Sequence, residues 1–435
     1  MRPGLEQDTL HASLQDPLLD SIGFLNEIMS RFPQAISFAP GAPHLAHLLD
    51  DDITRYAELY VDHMRRTRGL DLHGARRLLY EYGPARGLIN DLVAAALRED
   101  LRCVVEPESL VITVGAQEAM LLTLRALCRD RTDVLAVAEP CFVGITGAAR
   151  LLDVDVVAVP EDGRGPDLAA LEKECAGLRA AGRRVRAMYV APDYANPSGT
   201  VMDLATRRRL LELAARQDFL LVEDNAYGFT APEEHRLPPL KAMPGGDRVV
   251  LLGTFAKLCL PGARVGYAVA DQPVRTPDGR GRLLADELAA LKSMVTVNTA
   301  PLCQAVIGGM LLEQGGSLTK LARERSALYQ RNLGLLLDSL DRHLSPDGRT
   351  MPGIAWNRPE GGFFVRMRVP VRADAALLEL AASRYGVLWT PMSQFYRSSA
   401  GDDELRLSCS YLDAAGIEEG VRRLAAFLRD PVFRQ

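Results

Sequence analysis

Arg248-Val-Val-Leu-Leu252 runs directly into Gly253-Thr-Phe-Ala-Lys-Leu-Cys-Leu-Pro-Gly-Ala-Arg-Val-Gly266. The apolar run reads as a strand buried on both faces. Lys257 stands just past its end, Thr254 supplies a hydroxyl, and Arg264 follows beyond a Pro-Gly turn. An amine at a strand end suits capture of an aldehyde. A hydroxyl and a guanidinium fork beside it suit a phosphate. The stretch therefore predicts a layered α/β sheet with a ligand at the carboxyl ends of its strands.

The surrounding sequence extends that pattern. Apolar runs at Leu110–Val114, Val134–Ala138, Val154–Val159, Ala187–Ala191, Phe219–Glu223, Val249–Gly253 and Val265–Ala270 alternate with helical stretches such as Gln117–Cys128 and Ala205–Arg216. Near-continuous apolar strands separated by helices predict a mostly parallel sheet sandwiched by helices. A long helical section follows, roughly Leu283–Leu344. Then Gly361–Val369 alternates polar and apolar residues, as an antiparallel strand with one wet face does. Val387–Thr390 and Glu404–Cys409 read as further strands, and Ala414–Leu428 as a closing amphipathic helix. The expected organisation is an N-terminal arm and part of a small domain over 1–70, a large ligand-binding domain over 71–320, and a small α+β domain over 321–435.

A chain of 435 residues, 48% hydrophobic and 25% charged, has ample core for two such domains. Its net charge of −5 offers no basic field for nucleic acid or an anionic membrane surface. Neither a membrane-length apolar run nor a signal-peptide core is visible, so a cytoplasmic location is expected. Seven scattered cysteines without a C-x-x-C pair suit buried thiols in a reducing compartment and no metal site.

Five further motifs carry candidate chemistry. Val114-Gly-Ala-Gln-Glu-Ala119 opens a helix after a strand, where exposed amides favour an anion; it also serves as an ordinary strand-to-helix turn. Phe142, in Ala138-Glu-Pro-Cys-Phe142, suits stacking on a flat ring or plain core packing. In Ala191-Pro-Asp-Tyr-Ala-Asn-Pro-Ser-Gly199 the Asn196 amide is a donor toward a ring oxygen, in a sequence also common in turns. Phe219-Leu-Leu-Val-Glu-Asp-Asn-Ala-Tyr-Gly228 ends a strand in two acids. Asp224 there suits either a protonated ring nitrogen or a helix cap, and Tyr227 is a second donor. Arg406, in Glu404-Leu-Arg-Leu-Ser-Cys409, alternates with leucines on a strand. It is either a desolvated carboxylate fork or a solvent-facing arginine.

Taken in this order and spacing, the motifs resemble those of class I/II aminotransferases that depend on pyridoxal phosphate, and the resemblance covers nearly the whole chain from Gly41. It implies the aspartate-aminotransferase-like fold type I, pyridoxal 5'-phosphate as cofactor, and amino-group transfer between an amino acid and a 2-oxo acid by ping-pong kinetics. By position, Lys257 matches the Schiff-base lysine, Asp224 the partner of the pyridine nitrogen, and Phe142 the stacking aromatic. Asn196 and Tyr227 match the donors to the ring oxygen. Gly115, Ala116, Gln117, Thr254 and Arg264 match the phosphate cup. Arg406 and Gly41 match the substrate-carboxylate contacts, Asn196 beside them. Tyr82, in Tyr80-Glu-Tyr-Gly-Pro-Ala-Arg-Gly87, matches a tyrosine that reaches the neighbouring subunit's phosphate, which implies a homodimer with shared sites.

The departures bear on substrate. Many relatives have Ser before the lysine; here Ala256 stands there. The arginines that grip a second carboxylate in the aspartate and aminoadipate branches are missing from Met294-Val-Thr-Val-Asn-Thr299 and Ser21-Ile-Gly-Phe24; only Lys292 is near. A neutral, aromatic or non-protein side chain is therefore expected, a guanidino amino acid such as enduracididine among the candidates. Glu27, Asn298 and Gln394 are candidate pocket residues, and Glu27 and Gln394 read equally as side chains on a solvated face. The Ala/Arg/Leu-rich usage resembles that of bacteria whose specialised pathways, antibiotic biosynthesis included, use this family. A lyase, oxidase or cyclase on the same scaffold is the alternative. A ligand-sensing regulator would need a DNA-binding module ahead of the domain, and no helix-turn-helix pattern precedes this one.

Overall fold

The computed structural model describes residues 4–16, 19, 27–44, 52–346 and 348–434. After β1 (Ile36–Ser37) come seven strands of one sheet: β2 (Leu110–Thr113), β3 (Asp133–Glu139), β4 (Asp155–Pro160), β5 (Arg184–Val190), β6 (Leu220–Asp224), β7 (Val249–Thr254) and β8 (Gly266–Val269). Their spatial order is β2-β8-β7-β6-β5-β3-β4. Only β8 runs against its neighbours. All seven predicted strands are present, with ends that differ by at most three residues. Val, Leu and Ile on both faces of β2, β6 and β7 explain their burial from both sides, since helices cover each face.

This topology decides where the functional side chains go. The parallel strands β3, β5, β6 and β7 all end on the same edge, where ligands collect in open α/β sheets. Phe142 follows β3, Asn196 lies in the loop after β5, Asp224 closes β6, and Lys257 lies three residues past β7. Behind the Asn196 loop, the fully buried Arg207 acts as a staple. Its guanidinium donates to the carbonyls of Met202, Pro192 and Pro238 and to Asp193 Oδ1 at 2.5 Å.

A short hairpin of β9 (Pro273–Arg275) and β10 (Gly281–Leu283) follows. The predicted helical section is three helices, Leu284–Val295, Pro301–Glu313 and Leu318–Leu344. The breaks fall at Thr299-Ala-Pro301 and Gly315-Gly316, where Pro starts a helix and Gly ends one. β11 (Ala355–Trp356), β12 (Phe364–Arg368), β13 (Val387–Leu388), β14 (Thr390–Pro391) and β15 (Glu404–Ser408) come next. Four of them form an antiparallel sheet in the order β11-β12-β15-β14, while β13 pairs in parallel with β1. The wet face expected for β12 is partly covered: Arg366 is held by Glu404 at 2.6 and 2.8 Å and by the Tyr396 hydroxyl at 2.7 Å.

Two described elements of the first seventy residues go to different cores. β1 joins the small sheet's core through Phe38. The helix Ile53–Arg68 instead buries Tyr60, Val61 and Met64 in the large core, where it packs on Pro301–Glu313. Gly308 and Gly309 permit that approach: a Cβ on Gly309 would lie 1.9 Å from the Tyr56 carbonyl oxygen. This helix is thus no part of an arm; its amphipathic stripe needs a partner that sequence alone does not name. Among the described residues no helix is long and apolar enough to cross a membrane.

Candidate active site

A cavity of about 310 Å³ opens between the strand ends and the small sheet. Its lining includes Gly41, Ala116, Gln117, Phe142, Asn196, Asp224, Tyr227, Thr254, Lys257, Arg264 and Arg406. Eleven of the predicted residues are therefore brought together. Gly115 lies directly behind the wall: its φ is 71°, and a Cβ there would sit 2.6 Å from an Arg264 guanidinium nitrogen. Only a glycine allows that guanidinium to lie across the turn.

Lys257 is held where β7 breaks into a turn, and the Ala256 amide donates to Thr254 Oγ1 at 3.1 Å. Its Nζ donates to the Gly41 carbonyl. Burial and the positive charges of Arg406 and Arg264 pull its pKa down to about 8. A neutral amine, the form that attacks carbonyls and takes protons, is then accessible near neutrality.

Asp224 is buried at the floor. Its Oδ2 accepts from the Tyr189 hydroxyl at 2.7 Å, and its Oδ1 has no partner. Desolvation raises its pKa to about 6, offset in part by Tyr189 and Lys257. An orphaned carboxylate oxygen facing a cavity is costly unless a cationic or N–H group arrives.

Arg406, only 5% exposed, lies on β15 with its side chain opposite the leucines that fill the small core. This resolves the alternation in favour of the buried face. One guanidinium nitrogen donates to Asn196 Oδ1 at 2.6 Å; the other donates to the Ala39 carbonyl at 2.8 Å and Thr390 Oγ1 at 3.2 Å. The fork is stacked against Phe364 and Phe395, 4.2 and 5.1 Å from their centroids. All three acceptors are neutral, and Nε has none. With no acid to balance it, burial lowers the Arg406 pKa to about 10. Because Asn196 accepts from Arg406, its amide nitrogen is left to donate, and that bond links the two sheets across the cavity.

The other residues named from the sequence take different positions. Lys292 does not face the cavity: it is wholly buried and bonded to Glu118 at 2.6 Å and Thr296 at 2.9 Å. Asn298 turns to the Thr299 carbonyl, and Glu27 is exposed; neither lines the cavity. Gln394 does line it. Tyr82 lies outside it and is 87% exposed. Ser21–Phe24 falls outside the described residues. The sequence reading missed Tyr189, Phe364 and Phe395. A lone tyrosine in an aliphatic strand was the available signal, since a buried phenol seeks a partner.

The comparisons agree with this architecture. The family described as aminotransferase class I and II matches residues 58–424. An (S)-3,5-dihydroxyphenylglycine transaminase from Amycolatopsis orientalis is 47% identical over 424 residues, 98% of this chain and 94% of that protein. A 2-aminoadipate transaminase from Thermus thermophilus is 32% identical over 80% of each chain. The solved structure of a multiple substrate aminotransferase from Thermococcus profundus superposes with a TM-score of 0.81 at 25% identity, covering 98% of this chain and 99% of that one.

The chain belongs to the class I and II aminotransferases. It is an enzyme of fold type I, and its cofactor is pyridoxal phosphate. The cavity fits that group on its own chemistry. A free carboxylate oxygen suits a ring N–H, a neutralisable amine suits an aldehyde, and the glycine turn under Arg264 suits a phosphate.

Proposed function

We propose that this aminotransferase exchanges an amino group between an aromatic amino acid of the arylglycine type and a 2-oxo acid, by ping-pong turnover. The observation that carries the reading is the charge inventory of the cavity. Among the described residues its lining cations are Lys257, Arg264 and Arg406. With the first two engaged by cofactor, one fork remains for one carboxylate. The rest of the lining includes Met120, Val143, Phe142, Phe364 and Phe395, a surface suited to a flat apolar side chain. The 47% identical relative acts, by its name, on a substrate of that shape.

In this reading Lys257 holds the cofactor aldehyde, Asp224 its ring nitrogen, and Asn196 with Tyr227 its ring oxygen, while Phe142 stacks on the ring. Gly115, Ala116, Gln117, Thr254 and Arg264 hold the phosphate, joined by Tyr82 of a second copy. The bound cofactor supplies an electron sink for the breaking Cα–H bond. Arg406 fixes the carboxylate beside Gly41, which orients the Cα–H toward Lys257. Once the substrate amine has displaced it from the aldehyde, the freed Lys257 Nζ would take the α-proton and keep it for return. The buried Tyr227, its pKa pushed up by desolvation, stays a protonated donor throughout.

The exposed apolar residues Tyr82, Met294, Val295, Val297 and Leu302 support a homodimer. Gly83 lies near Pro301 and Asn298, so the loop bearing Tyr82 adjoins the start of the helix bearing Leu302.

The test is product analysis of the holoenzyme with a panel of amino acids, with and without a 2-oxo acid. Arylglycines and other aromatic donors should yield their oxo acids, and the acceptor should gain the amino group. Dominant turnover of aspartate or glutamate would overturn the substrate reading. Ammonia or carbon dioxide released without an acceptor would replace transfer with elimination or decarboxylation.

A further inference from the structure

We infer that Gln394 is a specificity-determining residue that reads a hydroxyl on the substrate's ring. The inference rests on the arylglycine reading above and deepens it. The polar groups lining the cavity otherwise have assigned work: Asn196 is bonded to Arg406, Asp224 to Tyr189, and the remaining ones face cofactor or carboxylate. Gln394 also lines the cavity, half-buried, and its side chain makes no hydrogen bond among the described residues.

Its backbone, by contrast, is fixed on both sides. Ser393–Phe395 is a single helical turn in which Phe395 N donates to the Met392 carbonyl at 2.9 Å. The Cys141 amide donates to the Phe395 carbonyl at 2.9 Å, which fastens the turn beside Phe142. Glu139 accepts from the Arg397 amide and, at 3.2 Å, from Ser398 Oγ. Met392 and Phe395 pack on Val143 and Phe142. The turn thus fixes the backbone that carries Gln394 beside the aromatic wall, anchored to the strand end that delivers Phe142.

A carboxamide offers both donor and acceptor, which matches a phenolic hydroxyl in either role. An unsubstituted ring closing over it would strip its water and return nothing, so the group favours hydroxylated rings and penalises bare ones. One neutral hydrogen bond gained or lost corresponds to a preference of roughly tenfold in kcat/KM.

The experiment measures kcat/KM of the wild-type holoenzyme for (S)-phenylglycine, (S)-3-hydroxyphenylglycine, (S)-3,5-dihydroxyphenylglycine and the 3,5-dimethoxy analogue, then repeats the series with Gln394→Met. The expected result is a wild-type order of dihydroxy above monohydroxy above bare ring, with the dihydroxy-to-bare ratio falling about tenfold in the variant. A merely structural role for the turn would lower all substrates together and leave the ratio unmoved, which would overturn the assignment. A wild type that turns over arylglycines without regard to the hydroxyl overturns it without any variant. If no arylglycine is a substrate while other amino acids are, the substrate reading itself fails and takes this one with it.

Discussion

At the scale of single residues, the site is built from charges left incomplete. Asp224 keeps one oxygen unpartnered in a buried floor, and its pKa of about 6 lies above the ordinary aspartate value. The sign of its effect follows from linkage. Without cofactor the folded form binds the proton more tightly than the unfolded chain does. Its contribution is therefore present at low pH and lost as pH rises through about 6. Asp224→Asn, which can still accept from Tyr189, should stabilise the cofactor-free protein at pH 8 by on the order of 2–3 kcal/mol, less toward pH 5. Urea unfolding across that range checks it, and parallel curves for the two proteins would refute it. The same variant should lose most activity.

Much of this constellation was legible because motif order carries information that each piece lacks. Lys257, Asp224 and Arg406 sit just past, at the end of or on a strand and Asn196 in a loop that follows one, and the structure gathers all four at one cavity. What stayed hidden was the support around them. Tyr189 looks like any strand aromatic until its hydroxyl is seen on Asp224. Phe364 and Phe395 come from separate parts of the chain to flank one guanidinium.

At the scale of elements, the buried pair of Lys292 and Glu118 locks the helix Leu284–Val295 to the helix Gly115–Leu127 that opens at the glycine turn. Glu118 also accepts from the Val114 amide at 2.7 Å and the Thr296 hydroxyl at 2.6 Å. Removing one partner strands the other charge in the core. Lys292→Met alone should destabilise the fold by about 3 kcal/mol or more, and adding Glu118→Gln should recover part of that loss. Equilibrium unfolding of the two variants decides it; equal loss in single and double mutants would contradict the account. Sequence marked Lys292 only as the cation nearest the Met294–Thr299 segment, because spacing along the chain cannot say which side of a helix faces the cavity. The long buried strands were visible as apolar runs. Val387–Thr390 takes in β13 and the first residue of β14, but β1 and β11 left no such run: β1 finds β13 some 350 residues away, and nothing local to Ile36–Ser37 marks that partner.

At the scale of the whole molecule, the exposed apolar surface near Tyr82 predicts a second copy. Sedimentation should show a dimer, and Leu302→Asp should shift it toward monomer while weakening cofactor retention. A wild-type monomer with full activity would rule out shared sites. Domain organisation shows the limits of linear reading at this scale. The boundary expected near 320 falls inside the helix Leu318–Leu344, whose first turns pack in the large core and whose last turns pack in the small one.

That continuous helix has a consequence for how the protein comes apart. Its 27 residues contain no proline, and the helix runs unbroken through its one glycine, Gly334. Loss of either core leaves a long helix with half its apolar stripe in water, so the free energies of the two bodies are coupled through one rod. Heating should then give a single transition, with amide exchange slowed along the rod's whole length to the same degree. A chain with two cores would behave, in calorimetry, as one cooperative unit.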